Sequence, residues 1–108
     1  MLKGHLDAIV LAALEAEPAH GYGIIATIKQ GSGNTFDLPE GTVYPALHRL
    51  EEAGLLSSAW TTPQGGRRRR MYSLTRAGSA ALASRRDAWG RFSQAVDSLL
   101  RGSRTWPA

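Results

Sequence analysis

Apolar residues recur along this chain with two different periods, and the switch between them divides it. Leu6, Ile9, Val10, Ala13 and Leu14 follow one another at steps of three and four, which lays one stripe along a helix. This predicts a first helix of roughly three turns, ended by Pro18. After "PAHGYG", Tyr22, Ile24, Ile25 and Ile28 predict a second, shorter helix, with His20 ordering the turn into it. Gly31, Gly33 and Asn34 supply its stop and a loop, from which Phe36 and Leu38 return to the core. A third helix falls within "LPEGTVYPALHRLEEAG". Val43, Ala46, Leu47, Leu50 and Ala53 form its apolar side, while Tyr44, Pro45, His48 and Glu52 point the other way and Thr42 and Arg49 sit on the flank. Pro45 is placed close enough to the helix start for its missing N–H to go unused, and Gly54 closes the helix.

From Leu55 the period becomes two. Leu56, Ser58 and Trp60 alternate with Leu55, Ser57, Ala59 and Thr61, and further on Arg70, Tyr72 and Leu74 alternate with Met71 and Ser73. The intervening "TPQGGRRR" makes this a β-hairpin with a glycine-rich, basic tip. Thr75 is an N-cap for a proline-free segment that runs to about Arg101. Within it Leu82, Trp89, Phe92, Val96 and Leu99 share a heptad frame with Gly78 and Arg85, and Ala81, Ala88 and Ala95 run beside them. Such a stripe needs a partner. The first three helices are committed to one another, so the partner expected is a second copy of the chain, with Leu6 and Val10 adjoining the seam. The tail "RGSRTWPA" is expected to be loose, with no role for Trp106.

Charge changes the picture. The chain of 108 residues carries a net +4, but residues 1–52 hold three basic side chains against seven acidic ones, and residues 53–108 hold ten against two. The halves therefore sum to −4 and +8, so the positive charge belongs to one surface, the electrostatic footprint of a nucleic-acid partner. The absence of Cys removes thiol chemistry and disulfides, and the first apolar run is too short to span a bilayer and contains Asp7. The expectation is a cytoplasmic protein with no membrane partner. His5 with Asp7 or Glu15 is the best metal candidate, but positions two apart lie on different faces of a helix, and neither metal nor cofactor is expected. Nothing resembles a nucleophile with its base, a carboxylate pair or a phosphate loop before a helix, so no enzyme is expected.

Three helices followed by a hairpin match the winged helix-turn-helix, in which the third helix enters the major groove and the wing reaches phosphates or the minor groove. The fold class expected is mainly α with a small β-hairpin: a winged helix over residues 1–74, then a dimerisation helix and tail over 75–108. On the third helix Thr42, Tyr44, Pro45, His48 and Arg49 form the candidate reading surface, since the acids Glu51 and Glu52 lie at the opposite end. On the wing Gly66, Arg67, Arg68 and Arg69 are the candidate phosphate contacts, with Arg70 serving the fold. Tyr22 and Lys29 of the second helix are further phosphate candidates. A protein-interaction module on the same scaffold is the alternative, and the arginine hairpin speaks against it.

"LKGHLDAIVLAAL", "HGYGI", "PEGTVYPALHRLEEAGLL", Trp60 and "GGRRRRMYSLTRAG" together resemble the PadR family of bacterial transcriptional regulators, in its short branch with a single C-terminal helix. The resemblance covers about residues 2 to 80. Gly23 stands where the family often has an acid, and Met71 where a second aromatic is common. The resemblance implies a homodimeric repressor that binds a pseudo-palindromic operator in double-stranded DNA and leaves it when an effector binds. It also implies a slot at the dimer centre for a planar aromatic effector, lined by Trp89, Phe92 and Val96. On its spacing alone Trp89 reads first as a packing residue, with Phe92 and Val96 as its neighbours under either reading.

Overall fold

The computed structural model describes residues 4–63 and 65–102, so the tail from residue 103, with Trp106, lies outside the described residues. Its elements are α1 (Leu6–Ala13), β1 (Ala19–His20), α2 (Gly21–Gly31), α3 (Glu40–Glu52), β2 (Leu56–Thr61), β3 (Arg69–Leu74) and α4 (Arg76–Leu100). The three strands form one antiparallel sheet in the order β1-β3-β2. The pattern of apolar positions gives the hairpin and all four helices but not β1, because two residues are too few to show a period. Ala19 and His20 extend the sheet by pairing with Tyr72 and Met71.

α1 is shorter than its stripe predicts. It ends at Ala13, where the N–H groups of Leu14 and Glu15 fall back on the carbonyls of Leu11 and Ala12 in a tighter turn, and Leu14 stays buried although it is outside the helix. Pro18 is therefore not its terminator; it leads the chain into β1. α3 closes as expected. The N–H of Leu55 bonds the carbonyl of Leu50 at 2.9 Å, that of Gly54 bonds Glu51 at 3.0 Å, and Gly54 has φ +80°. This is the glycine-terminated double bond that satisfies the last carbonyls of a helix. Pro45 sits deeper in α3 than its spacing predicts. As the sixth residue of α3 it lies inside the helix, and the bond it cannot make would have gone to the carbonyl of Gly41, an exposed residue with open space around it.

The core lies where α1, α2 and α3 meet, built on Val10, Leu11, Ile24, Val43 and Leu47, and is closed from the sheet side by Leu56 and Tyr72. α4 starts under β2. Thr75 accepts the N–H of Gly78 at 3.0 Å and donates to the carbonyl of Gly54 at 2.7 Å, so one hydroxyl caps α4 and ties it to the end of α3. Gly78 is required there: a Cβ would run into the carbonyl oxygen of Leu55. Beyond Leu82 no residue of α4 is buried, and the molecule measures 67 × 28 × 22 Å. Two residues expected at a seam between copies are thereby reassigned. Val10 is 0 % and Leu82 4 % exposed, both packed in the chain's own core, with no surface left for a partner.

Candidate nucleic-acid interface

The site is built where the N-terminal turns of α2 and α3 approach the wing. His20 caps α2 by accepting the N–H of Gly23 on its Nδ1 at 3.1 Å, which sets the direction in which Tyr22 leaves the helix. Tyr44 packs across the backbone of Gly21 so closely that a Cβ there would strike its ring and hydroxyl. The two phenols meet edge to face with centroids 6.4 Å apart. Both stay neutral donors. Hydrogen bonding to and repulsion by the Glu40 carboxylate raise the Tyr22 pKa above its ordinary value, and burial raises that of Tyr44.

The wing supplies the charge. Gly66 donates to the carbonyl of Pro63 at 2.9 Å, and Gly65 has φ +71°, a backbone region that glycine enters without penalty. From this tip Arg67, Arg68 and Arg69 emerge exposed. None of the three pairs with a carboxylate among the described residues. Arg70 differs: it is half-buried, with its guanidinium 3.5 Å from Glu51, whose Oε2 also accepts the Ser58 hydroxyl at 2.6 Å. It thus holds β3 against the end of α3.

A cleft of about 520 Å³ separates wing from helices. One wall is Arg67 to Arg70 with Trp60; the other is His20, Gly21, Tyr22 and Tyr44, and Tyr72 forms the floor. Of the candidate contacts, the structure brings Tyr22, Tyr44, Arg67, Arg68 and Arg69 together on this cleft, with Gly66 beside them at the wing tip. Thr42 is half-buried on α3, and Pro45 and His48 are exposed on its outer side, away from the cleft. Arg49 is turned back: its Nη2 donates to Oδ1 of Asp7 at 2.7 Å and pins α3 to α1. Lys29 sits at the far end of α2, 3.7 Å from Asp37. Pattern reading gave no role to Gly21, used Glu51 only as an acid at the far end of the third helix, and gave Trp60 no part in the site. The small residue before an aromatic in "HGYG" and the in-register pairing of Trp60 with Arg70 were the signals that bore on them.

A second surface lies along α4. Trp89, Phe92, Leu99 and Leu100 are all more than half exposed, and Val96 is half-buried between them. The Trp89 indole stacks at a tilt on Phe92, 5.6 Å between centroids, and meets His5 edge-on at 5.0 Å. The described residues contain no cluster of three groups able to hold a metal, and His5 is engaged with this ring. Among them, too, no helix is long and apolar enough to cross a membrane.

Three helices, a β-wing and a long following helix define a winged-helix protein. Residues 10–84 match the model of the PadR-like family of transcriptional regulators, and the chain belongs to that family. Its backbone superposes on a PadR-like transcriptional regulator from Bacillus cereus with a TM-score of 0.83, at 28 % identity over 95 % of this chain and 98 % of that one. A PadR family transcription regulator from Clostridium difficile gives 0.78 at 31 % identity, over 90 % and 99 % of the two chains. Bacillus subtilis PadR, solved in complex with operator DNA, gives 0.66 at 25 % identity over 73 % of this chain and 45 % of its own.

Proposed function

We propose that this regulator binds a pseudo-palindromic operator in double-stranded DNA as a homodimer, represses from it, and is released by an effector. The observation that carries the DNA half is the cleft. Three arginines without carboxylate partners among the described residues face the N-terminal turns of α2 and α3, and the outer side of α3 presents Pro45 and His48 with Thr42 on its flank. Such an arrangement lets the wing neutralise phosphates while α3 meets base edges. That a relative was solved with operator DNA supports the same reading.

The exposed apolar face of α4 supports the dimer. Four large apolar side chains in one stripe are poorly placed in water, and a second α4 is the surface most alike in shape and length to cover them. Trp89, Phe92 and Val96 would then flank the two-fold axis, with Leu6 and Leu99 further out. That pairing makes a slot for a planar aromatic effector the natural site of release. A ligand acts there only if it prefers one spacing of the two α3 helices.

The test is fluorescence anisotropy on DNA from upstream of the protein's own gene and on random DNA, over a series of salt concentrations, alongside sedimentation. The expected outcome is a species of about 23 kDa, twice the 11.6 kDa chain, that prefers one upstream sequence and protects half-sites about 34 Å apart. A monomer, or equal affinity for all DNA, would overturn the dimeric, sequence-specific reading.

A further inference from the structure

Trp60 stands near the end of β2 with 53 % of its surface exposed and packs against none of the core. What it does meet is charge. The guanidinium carbon of Arg68 lies 4.7 Å from the indole centroid, and that of Arg70 lies 5.4 Å away. The two arginines are held differently. Arg70 is fixed from two sides, by the ring and by Glu51, while Arg68 is held by the ring.

We infer that Trp60 is a positioning residue for nucleic-acid binding: its indole is a platform that keeps Arg68 extended over the cleft before DNA arrives. The inference rests on the DNA-binding reading above and deepens it. A guanidinium lying over an aromatic face uses that face for the cation–π contact and keeps its in-plane N–H donors free, so it can remain on the ring while accepting a phosphate in bidentate geometry. An arginine already ordered loses less side-chain freedom on binding than one that swings in solvent. The Glu51–Arg70 pair, anchored by Ser58, completes the device by fixing the indole from its other neighbour. One chain of contacts thus runs from the end of α3 to the wing: Glu51, Arg70, Trp60, Arg68.

The experiment compares Trp60→Leu, Trp60→Phe, Arg68→Ala and the double variant Trp60→Leu/Arg68→Ala, with circular dichroism checking that each is folded. Trp60→Leu keeps bulk and removes the π face. It is expected to weaken binding to upstream and random DNA alike by about threefold to tenfold and to lower the salt slope by about one. Trp60→Phe should recover most of that loss, and the double variant should bind no worse than Arg68→Ala alone. Losses that multiply in the double variant, or a Trp60→Leu protein that binds like the wild type, would overturn the platform. Side-chain NMR of the DNA-free protein separates this from a failure of the DNA reading. The Arg68 δ-methylene protons should be shifted upfield by the indole ring current and return to ordinary positions in Trp60→Leu. An unshifted Arg68 sinks the inference, whereas a shifted Arg68 in a wild-type protein that ignores DNA sinks only the DNA reading.

Discussion

α3 and α4 are both amphipathic, yet the chain treats them in opposite ways. The apolar side of α3 is wholly covered by its own chain, since Val43, Ala46 and Leu47 have no exposed surface and Leu50 almost none. α4 buries Gly78 and Leu82 and then carries Trp89, Phe92, Leu99 and Leu100 into solvent. The lesson concerns which side of a helix is free to act. With its apolar side spent on the core, α3 can offer a partner only Thr42, Pro45, His48 and their polar neighbours. α4 offers its apolar side, which selects a partner by shape and dehydration rather than by hydrogen bonds.

The largest effect expected from this contrast is on stability. Leu47→Ala opens a cavity at the centre of the core and should cost about 2–5 kcal/mol, read as a lower urea midpoint with unchanged slope. The paired change Trp89→Ser with Phe92→Ser on α4 should leave far-UV dichroism of the winged helix intact while shifting sedimentation from dimer to monomer. Equal loss of folded structure from both sets would mean that α4 is not a separable surface.

That contrast was only half legible in the sequence. Periodicity finds the apolar stripe of each helix, because both obey the same spacing. It does not say whether a stripe is covered by the same chain or by another, because that depends on where the helix ends up. Val10 and Leu82 show the consequence: each lies in line with residues expected at a seam, yet each is drawn into the core by the crossing of α1 and α4. Arg49 and Arg70 show the same for charge. Their type suggested DNA for one and the fold for the other, but Asp7 and Glu51, distant in sequence, decide where both guanidiniums point. What sequence conveys well is local: the caps at His20 and Thr75, the turn at Gly54 and the arginine-bearing wing all follow from residues within a few positions of each other.

The polar side of α3 and the wing should differ in what they recognise. Thr42→Ala or His48→Ala is expected to cost about 1–3 kcal/mol on the upstream site and little on random DNA. Replacing Arg67 and Arg69 by Ala should weaken both about equally and lower the salt slope by about one for each phosphate that is no longer neutralised. Anisotropy titrations on both DNAs read this directly, and matching losses from the two sets would place base recognition elsewhere than α3.

Two glycines of α4 sharpen the boundary between the chain's own packing and that of a partner. Gly78→Ala forces a methyl against the Leu55 carbonyl and should destabilise by about 1–3 kcal/mol. Gly90 has nothing within 4 Å of an added Cβ in the single chain, so Gly90→Ala should stabilise the helix by about 1 kcal/mol. Thermal melts at several protein concentrations check both. A Gly90→Ala variant that is destabilised only where the protein is dimeric would show that the partner helix passes at that point.

The smallest effect sits where an ion pair ties α4 to the segment that follows α1. Arg86 grips Glu15 with both terminal nitrogens, at 2.8 and 3.1 Å, and this hydrogen bonding and charge lower the Glu15 pKa below its ordinary value. A carboxylate whose pKa is depressed on folding adds stability above its unfolded pKa, about 4.3, and that increment fades as the pH falls through the lower folded value. Both partners are exposed, so the contribution is small and screened by salt. Glu15→Gln should therefore lower the urea midpoint slightly at pH 7 and low salt, and the difference from wild type should shrink in high salt and fade as the pH falls through the lowered folded value. A difference that survives acid would have to come from packing of the side chain instead of its charge. In that case the packing of α1 on α4 would extend further along the helix than burial indicates, and the free apolar face would begin later than Trp89.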